Sequence, residues 1–374
     1  MNPKINNLDE KNGILTMTIS GIQHSLLNSI RRIITSDIPC FVFRTFPHNE
    51  NKVNIEINTS RHNNEILKQR IGCIPIHVDE FDFPYEDYQV EVDKYNDSDI
   101  IQYLTTEDFK IFNKNTKHYL TDISSRKFFP PNSFTKDYIM VARLMPKISE
   151  NLLGEHIKFI ADISVSTSRQ DGMYNVASTC SFGGTLDVIR ANTAWTERKN
   201  ELLSKKTVKS EIEFEEKNWR LLEAKRFVVQ DSFEFILESV GVYENMRIMD
   251  LACGIMIDKL KTFIENVKTS NNVMIELNRE STIPNEYLIT LVNEDYTLAN
   301  PIIYYLYQTH FLGDNKSVTF CGFRKPHPHV DRGEIRLAFV DKAEIATVVT
   351  YLTRSANSCI ELYTTIKSNF SKLN

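Results

Sequence analysis

The sequence predicts an α+β protein in which one strand–helix unit occurs twice, with a β-rich segment inserted into the first occurrence. Three observations lead there. Residues 14–34 lie without gaps over residues 286–306 at one constant offset. Two long helical stretches, Met246–Val267 and Ile345–Phe370, each closing one half of the chain, carry apolar residues at a spacing of 3.5. Between the first unit and the first of these helices, residues 100–190 hold strand-like runs separated by loops. A fixed-offset repeat is weighed early, because missing it misreads the whole architecture.

The elements follow in order. Residues 13–20 alternate as a strand does. A hydroxyl cap at Ser25 then opens a helix to about Ser36, stopped by Pro39. Leu26, Leu27, Ile30, Ile33 and Ile34 form its apolar stripe, and Asn28, Arg31 and Arg32 lie off it. Cys40–Phe43 reads as a strand, as do residues 51–58, and a short helix spans Glu65–Ile71 before Gly72 and Pro75. Residues 79–99 are rich in acids without the alternate spacing of a calcium loop, which predicts a solvated acidic loop. Further strands are expected at Ile139–Leu144, Ile157–Val165, Ala177–Phe182 and Phe227–Val240, with a charged helical stretch at 194–225. In the second copy Thr297 stands where Ser25 does, and Leu298, Asn300 and Ile302 match Leu26, Asn28 and Ile30. The strand Val318–Phe323 is the expected partner of Cys40–Phe43.

The two late helices step by threes and fours. Met246, Met249, Cys253, Met256, Leu260, Phe263 and Val267 make one seam. Ile345, Val349, Leu352, Ala356, Cys359, Tyr363, Ile366 and Phe370 make the other. Seams of this period suit helices packed at shallow angles. A strand–helix unit leaves one helix face uncovered, and a second copy can cover it. The expected product is an intramolecular pseudo-dimer, an isologous contact within one chain. Leu26, Ile30, Leu298, Ile302, Met256, Leu260, Phe263, Leu352, Cys359 and Tyr363 are its expected contact residues.

Composition narrows the function. Net charge is −5, against the basic excess of a dedicated nucleic-acid binder, and the cluster Lys205, Lys206 and Lys209 is offset by Glu211, Glu213, Glu215 and Glu216. Six cysteines are scattered without a CxxC pair, so neither a disulfide framework nor a zinc site is signalled, and a reducing compartment is expected. The opening residues do not read as a signal peptide, and no apolar run is long enough to span a bilayer. There is no G-x-S-x-G elbow, P-loop or H-E-x-x-H, and His327 and His329 lack a third ligand between Pro326 and Pro328. No catalytic residue, cofactor or metal is therefore expected. The competing readings are an enzyme, and a nucleic-acid-binding module or other scaffold; tight, salt-sensitive DNA binding would favour the module.

Four motifs in order resemble a known family. His24-Ser-Leu-Leu-Asn-Ser-Ile-Arg-Arg-Ile-Ile-Thr-Ser-Asp-Ile-Pro39 looks like the opening helix of the alpha-type RNA polymerase subunits. Glu65-Ile-Leu-Lys-Gln-Arg-Ile-Gly-Cys-Ile-Pro-Ile76 is similar to that family's second signature, and Phe233–Phe263 resembles its closing strand and helix. Bacterial alpha and the third-largest subunit of RNA polymerase II belong to that group. Asn293-Glu-Asp-Tyr-Thr-Leu-Ala-Asn300 and Gly322-Phe-Arg-Lys-Pro-His-Pro328 look instead like the small eleventh subunit of the same enzyme. A fusion of the two resembles what large nucleocytoplasmic DNA viruses encode, in keeping with the Asn, Ile and Lys bias of the chain.

The resemblance implies a non-catalytic assembly platform of a DNA-dependent RNA polymerase. It implies a third-largest-subunit-type dimerisation domain over about 1–45 and 225–268. An inserted β-rich domain would occupy 46–224, and an eleventh-subunit-like domain 272–374, joined through the polar residues 268–272. It implies as partners the largest and second-largest subunits and a small tenth-subunit-like zinc protein, with DNA reached only through the complex and no membrane. Asn28, Arg31, Arg32, Glu65, Arg70, Glu294, Asp295 and Asn300 are the implied subunit-contact residues. Arg31 and Arg32 match the paired arginines used against the second-largest subunit, and arginine suits such bidentate contacts. Glu294, Asp295 and Asn300 are also placed to cap and orient the second copy's helix. The implied location is the virion and the cytoplasmic factory of a virus, or else a nucleus. Two departures stand out. The inserted domain lacks the cysteine cluster of some relatives. Asp171-Gly-Met-Tyr-Asn-Val176 also replaces the family's His-Ala-Lys-Trp run.

Overall fold

The computed structural model describes residues 1–149, 153–205, 208–314 and 316–372. The chain opens with β1 (Lys4–Lys11), β2 (Ile14–Ser20), α1 (His24–Ser36) and β3 (Pro39–Phe43). Next come β4 (Val53–Asn58), α2 (Asn64–Gly72), β5 (Tyr88–Tyr95), β6 (Gln102–Thr105), β7 (Lys110–Asn113), β8 (His118–Tyr119) and α3 (Asp122–Phe128). β9 (Met140–Leu144), β10 (His156–Thr167), β11 (Ala177–Leu186), α4 (Val188–Ser204), α5 (Lys209–Leu221), β12 (Val228–Ser239) and α6 (Asn245–Thr269) follow. The last part holds β13 (Val273–Leu277), β14 (Glu286–Val292), α7 (Tyr296–Leu306), β15 (Val318–Arg324), β16 (Arg332–Phe339) and α8 (Ile345–Ser371). The fold class is α+β, as the sequence predicts.

The chain divides into two compact units. One comprises Met1–Ile34, Ala177–Glu238 and Asn245–Asn374; the other comprises Thr35–Val176 with the short return Ser239–Glu244. The bounds of the second unit differ from the 46–224 expected for an inserted domain.

The reason is strand pairing. In the first unit two four-stranded antiparallel sheets have the same order: β1-β2-β12-β11 and β13-β14-β16-β15. Each sheet comes from the same succession of two strands, a helix, two strands and a long helix, interrupted in the first by β3–β10 after α1 and by α4 and α5 between β11 and β12. The counterpart of β15 is thus β11, not Cys40–Phe43 as expected. β3 instead pairs with β10, Phe43 opposite Ile163, in the six-stranded sheet of the second unit. Both segments are apolar alternating runs, and local pattern cannot tell which sheet a run will join.

Hydrophobic burial orders both units. In β2, Leu15, Met17 and Ile19 face inward while the intervening threonines stay at least partly exposed, the period-2 pattern of a sheet with one covered face. The second unit packs around Phe41, Phe43, Val90, Val92, Phe109, Ile111, Phe129 and Phe159, with the Phe43 and Phe129 rings stacked at 6.0 Å. Here the expected acidic loop over 79–99 is overturned in part. Tyr88–Tyr95 is β5, interior to the six-stranded sheet, with Val90 and Val92 buried between Gln89, Glu91 and Asp93. The alternation was present, but the acids of the outer face masked it.

The charged stretch expected at 194–225 is two helices, α4 and α5. They share a small core of Trp195, Leu202 and Ile212, with Trp219 packed against it. Lys206, of the basic cluster, lies outside the described residues.

A carboxylate is among the deeply buried polar groups. Glu286, 1% exposed at the start of β14, receives Arg336 Nη2 at 2.6 Å, Asn278 Nδ2 at 3.0 Å and the Ser281 hydroxyl. β14 and β16 lie side by side, with Leu288 opposite Arg336, which brings the guanidinium within reach. Burial alone pushes the Glu286 carboxyl up, but the bonds from Arg336, Ser281 and Asn278 outweigh it and hold the group below the usual carboxylate range.

Candidate assembly interface

The two repeat helices, α1 and α7, open in the same way. The side chain of Gln23 accepts from the Ser25 backbone N–H at 2.7 Å, and that of Asp295 accepts from the Thr297 N–H at 2.7 Å. Gln23 and Asp295 occupy equivalent positions of the repeat, so one orphan N–H of each helix start is satisfied in the same manner. The expected hydroxyl caps at Ser25 and Thr297 are corrected: both residues lie inside their helices, and the cap comes from two positions earlier. Leu26, Ile30, Leu298 and Ile302 are all fully or nearly fully buried.

The long helices pack on each other along their length. Lys367 near the end of α8 sits 3.6 Å from Asp250 near the start of α6, so the two run antiparallel. Met256, Leu260, Phe263, Leu352, Cys359 and Tyr363 are all buried. The seam of α8 differs from expectation in its first turns. Ile345 is exposed and Val349 half-buried, while Val348 is fully buried. On α6 the covered stripe is wider than a strict seam and also takes in Ile248, Ala252, Ile257 and Ile264, as a core-facing helix requires. Burial pushes the Cys253 thiol up to about 12 and the Cys359 thiol higher still, leaving both as inert packing groups.

Among the polar contacts between the repeats, two ties involve side chains of α1. The hydroxyl of Tyr363 on α8, fully buried, lies 2.6 Å from the Ser29 hydroxyl of α1 and donates to the Leu26 carbonyl at 3.1 Å. Arg32 of α1 donates from Nε to the Thr297 hydroxyl at 2.7 Å and from Nη2 to Asp295 at 3.0 Å. Neither tie is repeated by symmetry: Pro301 stands at the position of Ser29, and Tyr304 at that of Arg32.

The implied contact residues therefore separate. Arg32 and Asp295 are joined to each other within the chain. Glu294 lies 3.8 Å from Lys259 of α6. Arg31 is half-buried and donates to Asn28 at 2.9 Å; the Cys180 thiol of β11 reaches its carbonyl at 3.9 Å. Asn300 is half-buried on α7. In the second unit, Arg70 donates to the Val141 and Met140 carbonyls at 2.6 and 2.8 Å. It thus ties α2 to β9. Glu65 is exposed and lines a cavity of about 630 Å³ with Phe46, His48, Lys68 and Met173. Sequence reasoning missed Ser29, Gln23 and Lys259. Gln23 was within reach, since the repeat aligns it with Asp295.

His327 and His329 lie in the connection between β15 and β16, with the His329 N–H donating to His327 Nδ1 at 3.1 Å. Among the described residues no group of three or more His, Cys, Asp or Glu side chains could hold a metal ion, and no helix is long and apolar enough to cross a membrane.

These features define a class: an α+β chain carrying one β-β-α-β-β-α arrangement twice, joined through its long helices and a set of polar contacts. The RNA polymerase Rpb3/Rpb11 dimerisation domain matches residues 16–260, and a second model of that description matches residues 286–369. The chain belongs to this family. It is also similar to the DNA-directed RNA polymerases I and III subunit rpac1 of Dictyostelium discoideum, 37% identical over 94 residues. That match covers 24% of this chain and 25% of the relative.

Proposed function

We propose that the chain is the non-catalytic assembly platform of a multisubunit DNA-directed RNA polymerase. In this reading a third-largest-type subunit and an eleventh-type subunit are fused into an intramolecular pseudo-dimer, as in a large nucleocytoplasmic DNA virus. The observation that carries it is the doubled arrangement, each copy largely covered by a match to the same dimerisation family, with α6 laid along α8. Fusion makes the pairing of the copies intramolecular, so it no longer depends on the concentration of dilute partners. The segment Thr35–Val176 with Ser239–Glu244 is the inserted domain of the first copy. The expected partners are the largest and second-largest subunits and a small tenth-subunit-like zinc protein. The expected location is the viral factory and virion.

Affinity purification of the tagged chain from its natural setting should recover both catalytic polymerase subunits; their reproducible absence would overturn the reading. The surface around Asn28 and Arg31 is the proposed docking face for the second-largest subunit. Arg31→Glu should leave the thermal midpoint within a few degrees of the parent and abolish that recovery. Arg32→Glu should act differently. It sets a carboxylate against Asp295, so it lowers stability by about 2–3 kcal/mol before any partner is considered. Equal stability of the two variants in urea titration would show that the two arginines have not been correctly separated.

A further inference from the structure

The charged stretch of the first unit folds as an antiparallel pair, with Arg220 near the end of α5 donating to Asn192 near the start of α4 at 3.3 Å. The second helix of the pair is apolar on two sides. Its inner side carries Ile212 and Trp219, packed with Trp195 and Leu202 of α4, and the Trp195 and Trp219 rings lie 5.6 Å apart. Phe214 and Leu221 each follow one of these inner residues by two positions, which is about 200° round a helix. They and Asn218 therefore form a second stripe on the far side. Phe214 and Leu221 are each 63% exposed, and Leu222 beside them is 68% exposed. Scattered surface leucines are ordinary, but large apolar side chains gathered at helical spacing mark a contact surface.

The order of residues on this stripe is symmetric about Asn218. Phe214 stands four residues before it and Leu222 four after; Glu211 stands seven before it and Lys225 seven after. Lys225 lies in the short helical turn Glu223–Arg226 that continues α5. Glu211 and Lys225 are exposed, and neither side chain has an ion-pair partner among the described residues. A helix laid antiparallel across Asn218 must therefore offer a cation at one end, a carboxylate at the other and apolar side chains between. The helix on which that order is found is α5 itself.

We infer that this face of α5 pairs with α5 of a second copy of the chain, antiparallel about a twofold axis at Asn218. The contact is isologous, so each interaction occurs twice. Phe214 packs on Leu221 and Leu222 of the second copy, and Glu211 meets its Lys225. The two Asn218 carboxamides meet on the axis, where one polar pair among apolar neighbours fixes register and orientation. A parallel arrangement sets Glu211 on Glu211 and Lys225 on Lys225, and that repulsion selects against it. The inference stands apart from the role in transcription, because it uses only the residues of this helix.

The test is sedimentation equilibrium of the full chain. One helix pair is at the small end of specific interfaces, so the dissociation constant should be on the order of 10 µM and the series should run from about 1 to about 200 µM. The mean mass should climb from the 43.4 kDa of one chain towards twice that value. Phe214→Ser should weaken association by about tenfold or more, while its thermal midpoint stays with the parent's because the side chain is exposed. Glu211→Lys and Lys225→Glu, each alone, place like charges together twice and should weaken association by about tenfold. The two changes combined should restore the parent's affinity, which an arrangement other than the antiparallel one would not do. A parent chain that stays monomeric throughout the series would overturn the inference and assign the stripe to a partner other than this chain. Association of Phe214→Ser equal to the parent's would overturn the choice of face, and a combined variant no better than either single one would overturn the antiparallel pairing.

Discussion

Tyr363→Ala should destabilise the first unit by about 4 kcal/mol, the usual cost of deleting a large aromatic ring from a closed core. Tyr363 is fully buried, and its ring belongs to the helix that closes the second repeat while its hydroxyl ends on Ser29 and Leu26 of the first. The substitution removes a cross-repeat contact and a cross-repeat hydrogen bond together. Tyr363→Phe keeps the ring and should cost only about 1–1.5 kcal/mol. Urea titrations of the three proteins separate the two contributions. If Tyr363→Phe were as damaging as Tyr363→Ala, the hydroxyl tie, and not the packing, would hold the two repeats together.

Arg336→Leu should cost about 3–5 kcal/mol at neutral pH, because it strands the buried Glu286 carboxylate without its cation. The loss should depend on pH. In the parent the folded-state carboxyl titrates below its ordinary value near 4.5. Its stabilising contribution is therefore fully present above that value and is lost as pH falls through the folded-state value. In Arg336→Leu the main lowering influence is gone and burial pushes the carboxyl upward, so the variant gains relative stability as the group takes up a proton. The gap between parent and variant should narrow from pH 7 towards pH 4. A gap of constant size across that range would mean that the pair does not carry the effect.

Much of this molecule is readable in the chain as written. The constant offset between residues 14–34 and 286–306 found the repeat, and the topology of the two four-stranded sheets repeats it. Twelve of the fifteen residues of the two helical seams are buried. The offset even held one detail that went unused: Gln23 matches Asp295, and each satisfies the N–H two residues on. A glutamine is a less familiar cap than an aspartate, and the hydroxyls of Ser25 and Thr297 drew the assignment to themselves.

The candidate site was less readable. Arg31 and Arg32 are neighbours in sequence and look like one feature. A helix turns about 100° per residue, so they leave α1 in different directions. Arg32 meets Asp295 and Thr297, while Arg31 meets Asn28. Arg70, equally suited in type to a partner's carboxylate, is spent on two carbonyls of its own unit.

By itself, then, the sequence determined periodicity, repetition and helix extent, because each depends on residues close together in the chain. Only the tertiary structure decided that β3 pairs with β10 while β11 completes the first repeat's sheet, since both strands satisfy the same local pattern and long-range pairing alone separates them. It likewise decided that Ser29 meets Tyr363 and that Glu286 meets Arg336. Those contacts arise when distant segments bury polar groups together, and a buried polar group takes whichever partner the packing brings within reach.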